Sequence, residues 1–140
     1  SYTEPASSNK DYRLVEEVRA AWSACTDTSR VYVLGYSQGG FLAFYIGMKD
    51  ADELGAIHVQ SAANPMPGSG LISGAPRKIP VQLVIGDGDS LLNAARQTRD
   101  DLQAAGHLVD YQEIAGHGHC CYLASLNPEI WAFFAGNPLP

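Results

Sequence analysis

Long apolar runs are missing from this sequence. No stretch approaches the roughly 18 consecutive apolar residues of a membrane-crossing helix, so the 140 residues offer no candidate helical span. Basic residues are scarce: nine Lys+Arg stand against 15 Asp+Glu, for a net charge of −6. Without a basic cluster there is no electrostatic footprint for nucleic acid, and the acidic balance bears on solubility instead. Cysteine is scarce too. Cys25, Cys120 and Cys121 are the only three, and their spacing fits neither a zinc site nor a redox Cys-x-x-Cys pair. The opening residues "SYTEPASSNKDY" have neither the basic start nor the apolar middle of a secretory leader, which leaves the compartment open.

Apolar content is ample. At 46% hydrophobic, residues 1–140 suffice for one domain with a real core. "DYRLVEEVRAAWSA" sets Leu14, Val15, Val18, Ala21 and Trp22 on one helical face, and "TDTS" breaks it. "RVYVLG" (30–35) runs its apolar residues together, the pattern of a strand buried on both faces. A helix over 38–49 follows, then a second strand near 56–61. The Pro/Gly/Ser-rich "NPMPGSGLISGAPRK" is loop. "IPVQLVIGDGD" holds a third strand, "LLNAARQTRDDLQAAG" an amphipathic helix stopped by Gly106, and "LVDYQEIAG" a fourth strand. In "ASLNPEIWAFFAG" a last helix is expected to be capped by Asn127 and opened by Pro128. His58, inside an apolar strand, reads as a satisfied core histidine; His107, in a helix–strand connection, is expected at the surface. The alternation of strands and helices argues for an α/β domain, a parallel sheet with helices on both faces.

One stretch carries chemistry. In "VYVLGYSQGGFLAFYIG" (31–47), Gly35-x-Ser37-x-Gly39 stands where a buried strand hands over to an apolar helix. That is the pattern of a nucleophile elbow: a serine in a strained turn, with flanking glycines that let helix and strand approach. The pentapeptide alone is weak evidence, because an ordinary Gly-rich turn would look the same. A serine also needs a base and an orienting acid. "VIGDGDSLL" offers Asp87 and Asp89 after the third strand, and "EIAGHGHCC" offers His117 and His119 after the fourth. Each group lies just past the C-terminal end of its strand, the edge at which sites assemble in open α/β sheets. The backbone N–H of Gln38, next after the serine, is the candidate oxyanion donor. Phe41, Met66, Leu91 and Leu92 are candidates for bordering an acyl pocket, with plain packing as the simpler reading.

These segments resemble the second half of an α/β-hydrolase of the esterase type. "TSRVYVLGYSQGG" is similar to the elbow of carboxylesterases, acyl-protein thioesterases and polyhydroxyalkanoate-depolymerase-like esterases. "VQLVIGDGDSLL" looks like their Gly-x-x-Asp turn, which implies Asp89 as the acid with Asp87 as the alternative. "YQEIAGHGH" looks like their Gly-x-Gly-His turn, which implies His119 as the base with His117 as the alternative. The resemblance covers nearly all of residues 11–135 and implies a serine hydrolase of carboxylic esters, with a small-molecule ester as substrate and no metal or cofactor. Thioester hydrolysis and acyl transfer use the same groups. A non-catalytic hydrolase-like binding or scaffold module is the alternative.

The sequence departs from the family in one respect. A full hydrolase of this type has eight strands and takes its second oxyanion donor from a loop after the third; this chain starts near the helix before the fifth. The edge of the Val31–Gly35 strand is therefore expected to be bare unless a companion polypeptide, or a second copy, covers it. The residues are expected to be one part of a longer protein. Cys25 precedes the strand that ends near Ser37, while Cys120 and Cys121 follow the histidines. Six strand residues span about 20 Å, beyond the roughly 7 Å Cα limit of a disulfide, so no bond from Cys25 to either is expected. Some feruloyl-esterase-like and tannase-like hydrolases join the residue before the serine to the residue after the histidine by a disulfide. Here Cys120 matches one end, but Tyr36 occupies the other. Cys120 or Cys121 is then available to a missing half.

Overall fold

A computed structural model describes residues 8–120 and 122–140. Cys121, and any pairing expected of it, lies outside the described residues; Cys120 is already disulfide-bonded, so it is not the thiol left over for a missing half. The elements are α1 (Lys10–Trp22), β1 (Val33–Tyr36), α2 (Gln38–Lys49), β2 (Ile57–Gln60), β3 (Val81–Gly86), α3 (Leu92–Ala104), β4 (Val109–Ile114) and α4 (Leu123–Gly136). The four strands form one parallel sheet in the order β1-β2-β3-β4. Val33, Ile57, Val81 and Val109 stand in one row, so the strands start level and their C-terminal ends form a common rim. That rim is where the loops carrying Ser37, Asp89 and His119 emerge.

Period-2 alternation splits the sheet between two layers. Ile57, Val59, Val81, Leu83 and Ile85 join Phe44 and Ile46 of α2 and Ala95 and Leu102 of α3 in the main core, with Tyr12 of α1. Ala56 and Val84 face the other way, onto Tyr122, Leu126, Ile130 and Phe134. α2 is buried along most of its length, as expected of a helix apolar on all sides. Helix α3 ends as its sequence predicts. Gly106 takes φ 86°, its N–H bonds the Gln103 carbonyl, and the His107 N–H bonds the Leu102 carbonyl. This is a Schellman stop that needs a left-handed residue.

Four expectations need correction. First, β1 is not buried on both faces: it begins at Val33, and Leu34 is 57% exposed. Second, most of the apolar face of α1 is not in the core, Val15 alone of the five packing against it. Leu14, Val18 and Trp22 are 59%, 51% and 59% exposed. α1 docks on α2 by a neighbouring face instead, through Tyr12, whose hydroxyl donates to Asp50 at 2.5 Å, and through Arg19, which pairs with Asp50 and Glu53. Third, α4 starts at Leu123, not at Pro128, which lies inside the helix. Tyr122, Leu126, Ile130 and Phe134 recur every four residues on the buried side, and that stripe draws the preceding turn into the helix. The proline ring cannot donate to the Ala124 carbonyl, but Ala124 is exposed, where water serves. Fourth, His107 is buried, with Nδ1 3.2 Å from the Ile79 carbonyl oxygen.

His58 is a core histidine, as expected. It belongs to a polar row crossing the sheet on the α4 side: His58 pairs in register with Gln82, and Gln82 with Asp110. The Gln82 amide donates to Asp110 at 2.7 Å, and its carbonyl oxygen lies 2.8 Å from His58 Nδ1. That oxygen can only accept, so Nδ1 carries the proton.

The β1–α2 junction is closed by a contact that only glycine allows. A Cβ on Gly35 would stand 2.1 Å from the Gly39 carbonyl oxygen, whereas one on Gly39 would meet nothing within 4 Å. Of the two flanking glycines, Gly35 makes the tight fit and Gly39 does not; Gly40, with Ala62 2.7 Å from its would-be Cβ, is the second close approach. Gly35→Ala is predicted to destabilise the fold by about 3 kcal/mol or more through overpacking. Gly39→Ala should be neutral or gain up to about 1 kcal/mol of helix propensity. Urea midpoints of the two variants check this. A second prediction concerns pH. Burial pushes the His58 imidazole below its ordinary pKa, against opposing hydrogen bonds to Gln82 and Gln60, and burial acts likewise on His107. The unfolded histidines protonate near pH 6.5, the folded ones lower. Their contribution is therefore full above about pH 6.5 and is lost as pH falls below it. The urea midpoint should drop between pH 7 and pH 5, and His58→Gln should flatten that drop.

Candidate active site

Ser37 sits between the last residue of β1 and the first of α2 with φ 52° and ψ −118°, a backbone region costly for any residue with a Cβ. Its neighbours hold it there. The Ser37 N–H donates to the Gln60 carbonyl at 2.9 Å, and its own carbonyl accepts from Phe41 N at 3.1 Å. Ser37 occupies the N-cap position of α2, where a serine side chain ordinarily accepts a helix N–H. It makes no such bond. The hydroxyl is directed across the rim to His119 Nε2 at 2.8 Å.

The candidate acid comes from the turn after β3. Asp89 is buried; its N–H bonds the Gly86 carbonyl, and Oδ1 accepts from Leu91 N at 2.9 Å. Oδ2 lies 2.8 Å from His119 Nδ1. A carboxylate only accepts, so Nδ1 donates, the neutral ring leaves Nε2 as acceptor, and Ser37 Oγ–H points at Nε2. The three side chains thus form one directed chain from hydroxyl through imidazole to a carboxylate whose side chain has no solvent exposure. The imidazole itself is 42% exposed, so this end of the chain of hydrogen bonds faces solvent.

The alternatives do other work. Asp87 Oδ1 accepts the Gly116 N–H at 2.9 Å, tying the acid turn to the base loop. The His117 carbonyl accepts from Gly88 N at 2.9 Å, and its ring lies 5.2 Å from that of Tyr122. Neither residue reaches Ser37 by a hydrogen bond. The two loops are pressed together at Gly86, whose would-be Cβ falls 2.3 Å from the His117 and Gly118 carbonyl oxygens. Gln38 opens α2, so its N–H has no acceptor within the helix. Phe41, Met66, Leu91 and Leu92 are partly buried and pack against the main core.

Sequence reasoning missed three neighbours. The Tyr36 hydroxyl donates to the His119 carbonyl at 2.7 Å. Ser61, at the end of β2 with φ 47°, meets the Tyr122 hydroxyl at 2.7 Å. No local pattern marks a tyrosine that bonds a residue 83 positions away, though alternation along β1 places Tyr36 on the α4 side of the sheet. Among the described residues no group of three or more His, Cys, Asp or Glu could hold a metal ion. Cys25 is a free, exposed thiol. A cleft of about 790 Å³ lies at the other end of β1, lined by Val18, Arg19, Trp22, Val31, Asp50 and Leu139 among others; it touches none of the residues above.

Residues 4–126 match the family model of phospholipases and carboxylesterases. The fold is similar to that of SOBER1 from Arabidopsis thaliana (24% identity over 89% of this chain and 60% of that one, TM-score 0.71). It is also similar to esterase PE8 (24% identity, 89% and 58%, TM-score 0.74) and to a thermostable esterase (16% identity, 93% and 37%, TM-score 0.75). No curated protein matches the chain. It spans about three-fifths of the length of SOBER1, and its four parallel strands with flanking helices are a shortened form of the α/β-hydrolase fold. The chain belongs to the phospholipase/carboxylesterase family.

Proposed function

We propose that this chain carries the reacting groups of a serine esterase that cleaves small carboxylic esters through an acyl-enzyme. The observation that carries the reading is the continuous path Ser37 Oγ to His119 Nε2 and His119 Nδ1 to Asp89 Oδ2, 2.8 Å at each step. Ser37 attacks the acyl carbonyl while His119 takes its proton. Asp89 fixes the tautomer and stabilises the imidazolium. The developing oxyanion takes a hydrogen bond from the Gln38 N–H at the positive end of α2. His119 then returns the proton to the leaving alcohol, and water activated by the same ring releases the acid. The steps need no metal or cofactor.

The free edge of β1 supports a second element of the proposal: a companion segment supplies a further strand beside Val33–Tyr36. β1 pairs with β2 on one side, and among the described residues no strand pairs with the other. The exposed faces of Leu34, Leu14, Val18 and Trp22 are apolar surface without cover, and the structural relatives are longer than this chain. The segment would also bring the second oxyanion donor, the lack of which costs about 10²–10³ in turnover.

Ser37→Ala should abolish labelling by a fluorophosphonate and lower p-nitrophenyl ester hydrolysis by about 10³-fold or more. Asp89→Asn should cost about 10²–10⁴, while Asp87→Asn and His117→Gln should lose under tenfold. An unlabelled Ser37 in the fully assembled protein would sink the reading. For the edge, the chain alone should self-associate in light scattering and turn over ester at least about 10²-fold more slowly than the assembled protein. A monomeric chain with full activity would rule out the companion strand.

A further inference from the structure

The base loop lies open to solvent. Ala115, Gly116, Gly118, His119 and Cys120 are all exposed, two of these five are glycine, and Cys120 at the loop's end is held in a disulfide. Its first half is tied to the acid turn through the Gly116 N–H on Asp87 and the His117 carbonyl on the Gly88 N–H. Past the loop, Tyr122 is anchored on Ser61 of the β2 end. All of these ties lead to β2 or β3. The imidazole, however, must stay in register with a hydroxyl just past β1, at the opposite edge of the sheet from β4.

We infer that Tyr36 is the residue that positions His119 against Ser37. It immediately precedes Ser37, so any shift of the nucleophile turn carries it along. Its hydroxyl donates to the His119 carbonyl at 2.7 Å, and its ring lies 5.6 Å from the imidazole, tilted by 46°. Among the described residues this is the tie between β1 and the main chain of the base loop. The other bond between β1 and the loop is the reacting pair itself. A serine and a histidine joined only by the bond that must break during reaction would have no fixed separation afterwards. The Tyr36 bond does not take part in the proton transfer, so it keeps the distance while the Ser37 hydroxyl is consumed. A misplacement of about 1 Å at reacting atoms costs on the order of 10²-fold, which sets the scale of what this tie protects. Tyr36 touches neither substrate nor the transferred proton; it acts through His119.

The inference rests on Ser37 and His119 being nucleophile and base, and the test separates the two. Tyr36→Phe keeps the ring and removes the hydroxyl. In the assembly that hydrolyses p-nitrophenyl acetate, kcat should fall about tenfold with KM within twofold. Fluorophosphonate labelling of Ser37 should slow by the same factor, because labelling also needs the aligned base. Tyr36→Leu, which removes the ring as well, should fall further, with KM again unchanged. A wild-type protein that takes no label sinks the underlying esterase reading. A wild type that labels, beside a Tyr36→Phe variant within twofold of it in kcat and labelling rate, sinks only the role of Tyr36. A raised KM with unchanged kcat would make Tyr36 a substrate contact, and a variant that no longer unfolds cooperatively would make it a fold residue; either outcome overturns the inference.

Discussion

Two places where backbone lies directly on backbone hold the rim of this sheet together. At one, Gly35 of β1 faces the Gly39 carbonyl of the following helix; at the other, Gly86 of β3 faces the His117 and Gly118 carbonyls of the base loop. A side chain at either would fall within 2.4 Å of a carbonyl oxygen, well inside van der Waals contact. The first contact lets the chain reverse so sharply that Ser37 takes positive φ. The second seats the histidine loop on the carboxylate turn. Both glycines are therefore fixed by what the neighbouring backbone occupies, not by flexibility. The path from Ser37 to Asp89 depends on both contacts at once, since each sets one end of the imidazole's reach.

The sheet beneath them makes convergence possible. Parallel strands that start level send their ends to one rim, β3 and β4 running two residues further than β1, so three loops leaving β1, β3 and β4 meet without any long excursion. The same register lines up His58, Gln82 and Asp110 across the α4 side. A buried polar row is costly unless its members satisfy one another. Here the donors and acceptors run in one direction, from His58 through Gln82 to Asp110. The row breaks down at Gln60. Among the described residues its side-chain Nε2 is buried without a partner, while its Oε1 lies 3.4 Å from the unprotonated His58 Nε2.

Much of this was legible in residue order because local and global preferences agree. The α2 boundaries, the Gly106 stop, the positions of β2 and β3, and the Ser, Asp, His order at successive strand ends each follow from short-range patterns. The misreadings share a cause. Periodicity reports that a helix has an apolar face, as α1 does at Leu14, Val18 and Trp22, but not whether the chain provides anything to cover it. A run such as "RVYVLG" reads as buried on both faces whether or not the chain supplies cover for each, and Leu34 has none. Pro128 signals a helix start by local rule, and the every-fourth-residue stripe from Tyr122 to Phe134 overrides it by tertiary packing. His107 was placed by its connection, whereas the Schellman stop that precedes it turns the ring inward. Tyr36, Ser61 and Tyr122 act only through partners remote in sequence, which no short-range pattern encodes.

The position of the strained residue is the remaining puzzle, and its resolution is energetic. A non-glycine backbone in the Ser37 region costs on the order of 1–3 kcal/mol, which the surroundings must offset. On the β2 side they do, through the Ser37 N–H on Gln60 and the ladder from Val33 to Tyr36. On the other side, no strand among the described residues pairs with β1, and Leu34 forgoes most of the roughly 1.5–3 kcal/mol that burying its side chain would bring. The strained turn thus sits at the end of an edge strand. A strand added to that edge would bind only the ordered form of β1, so its binding energy would stabilise the ordered turn through mass action. Assembly at the edge and the geometry of Ser37 are then a single equilibrium, and the hydroxyl is held most firmly where its strand has neighbours on both sides.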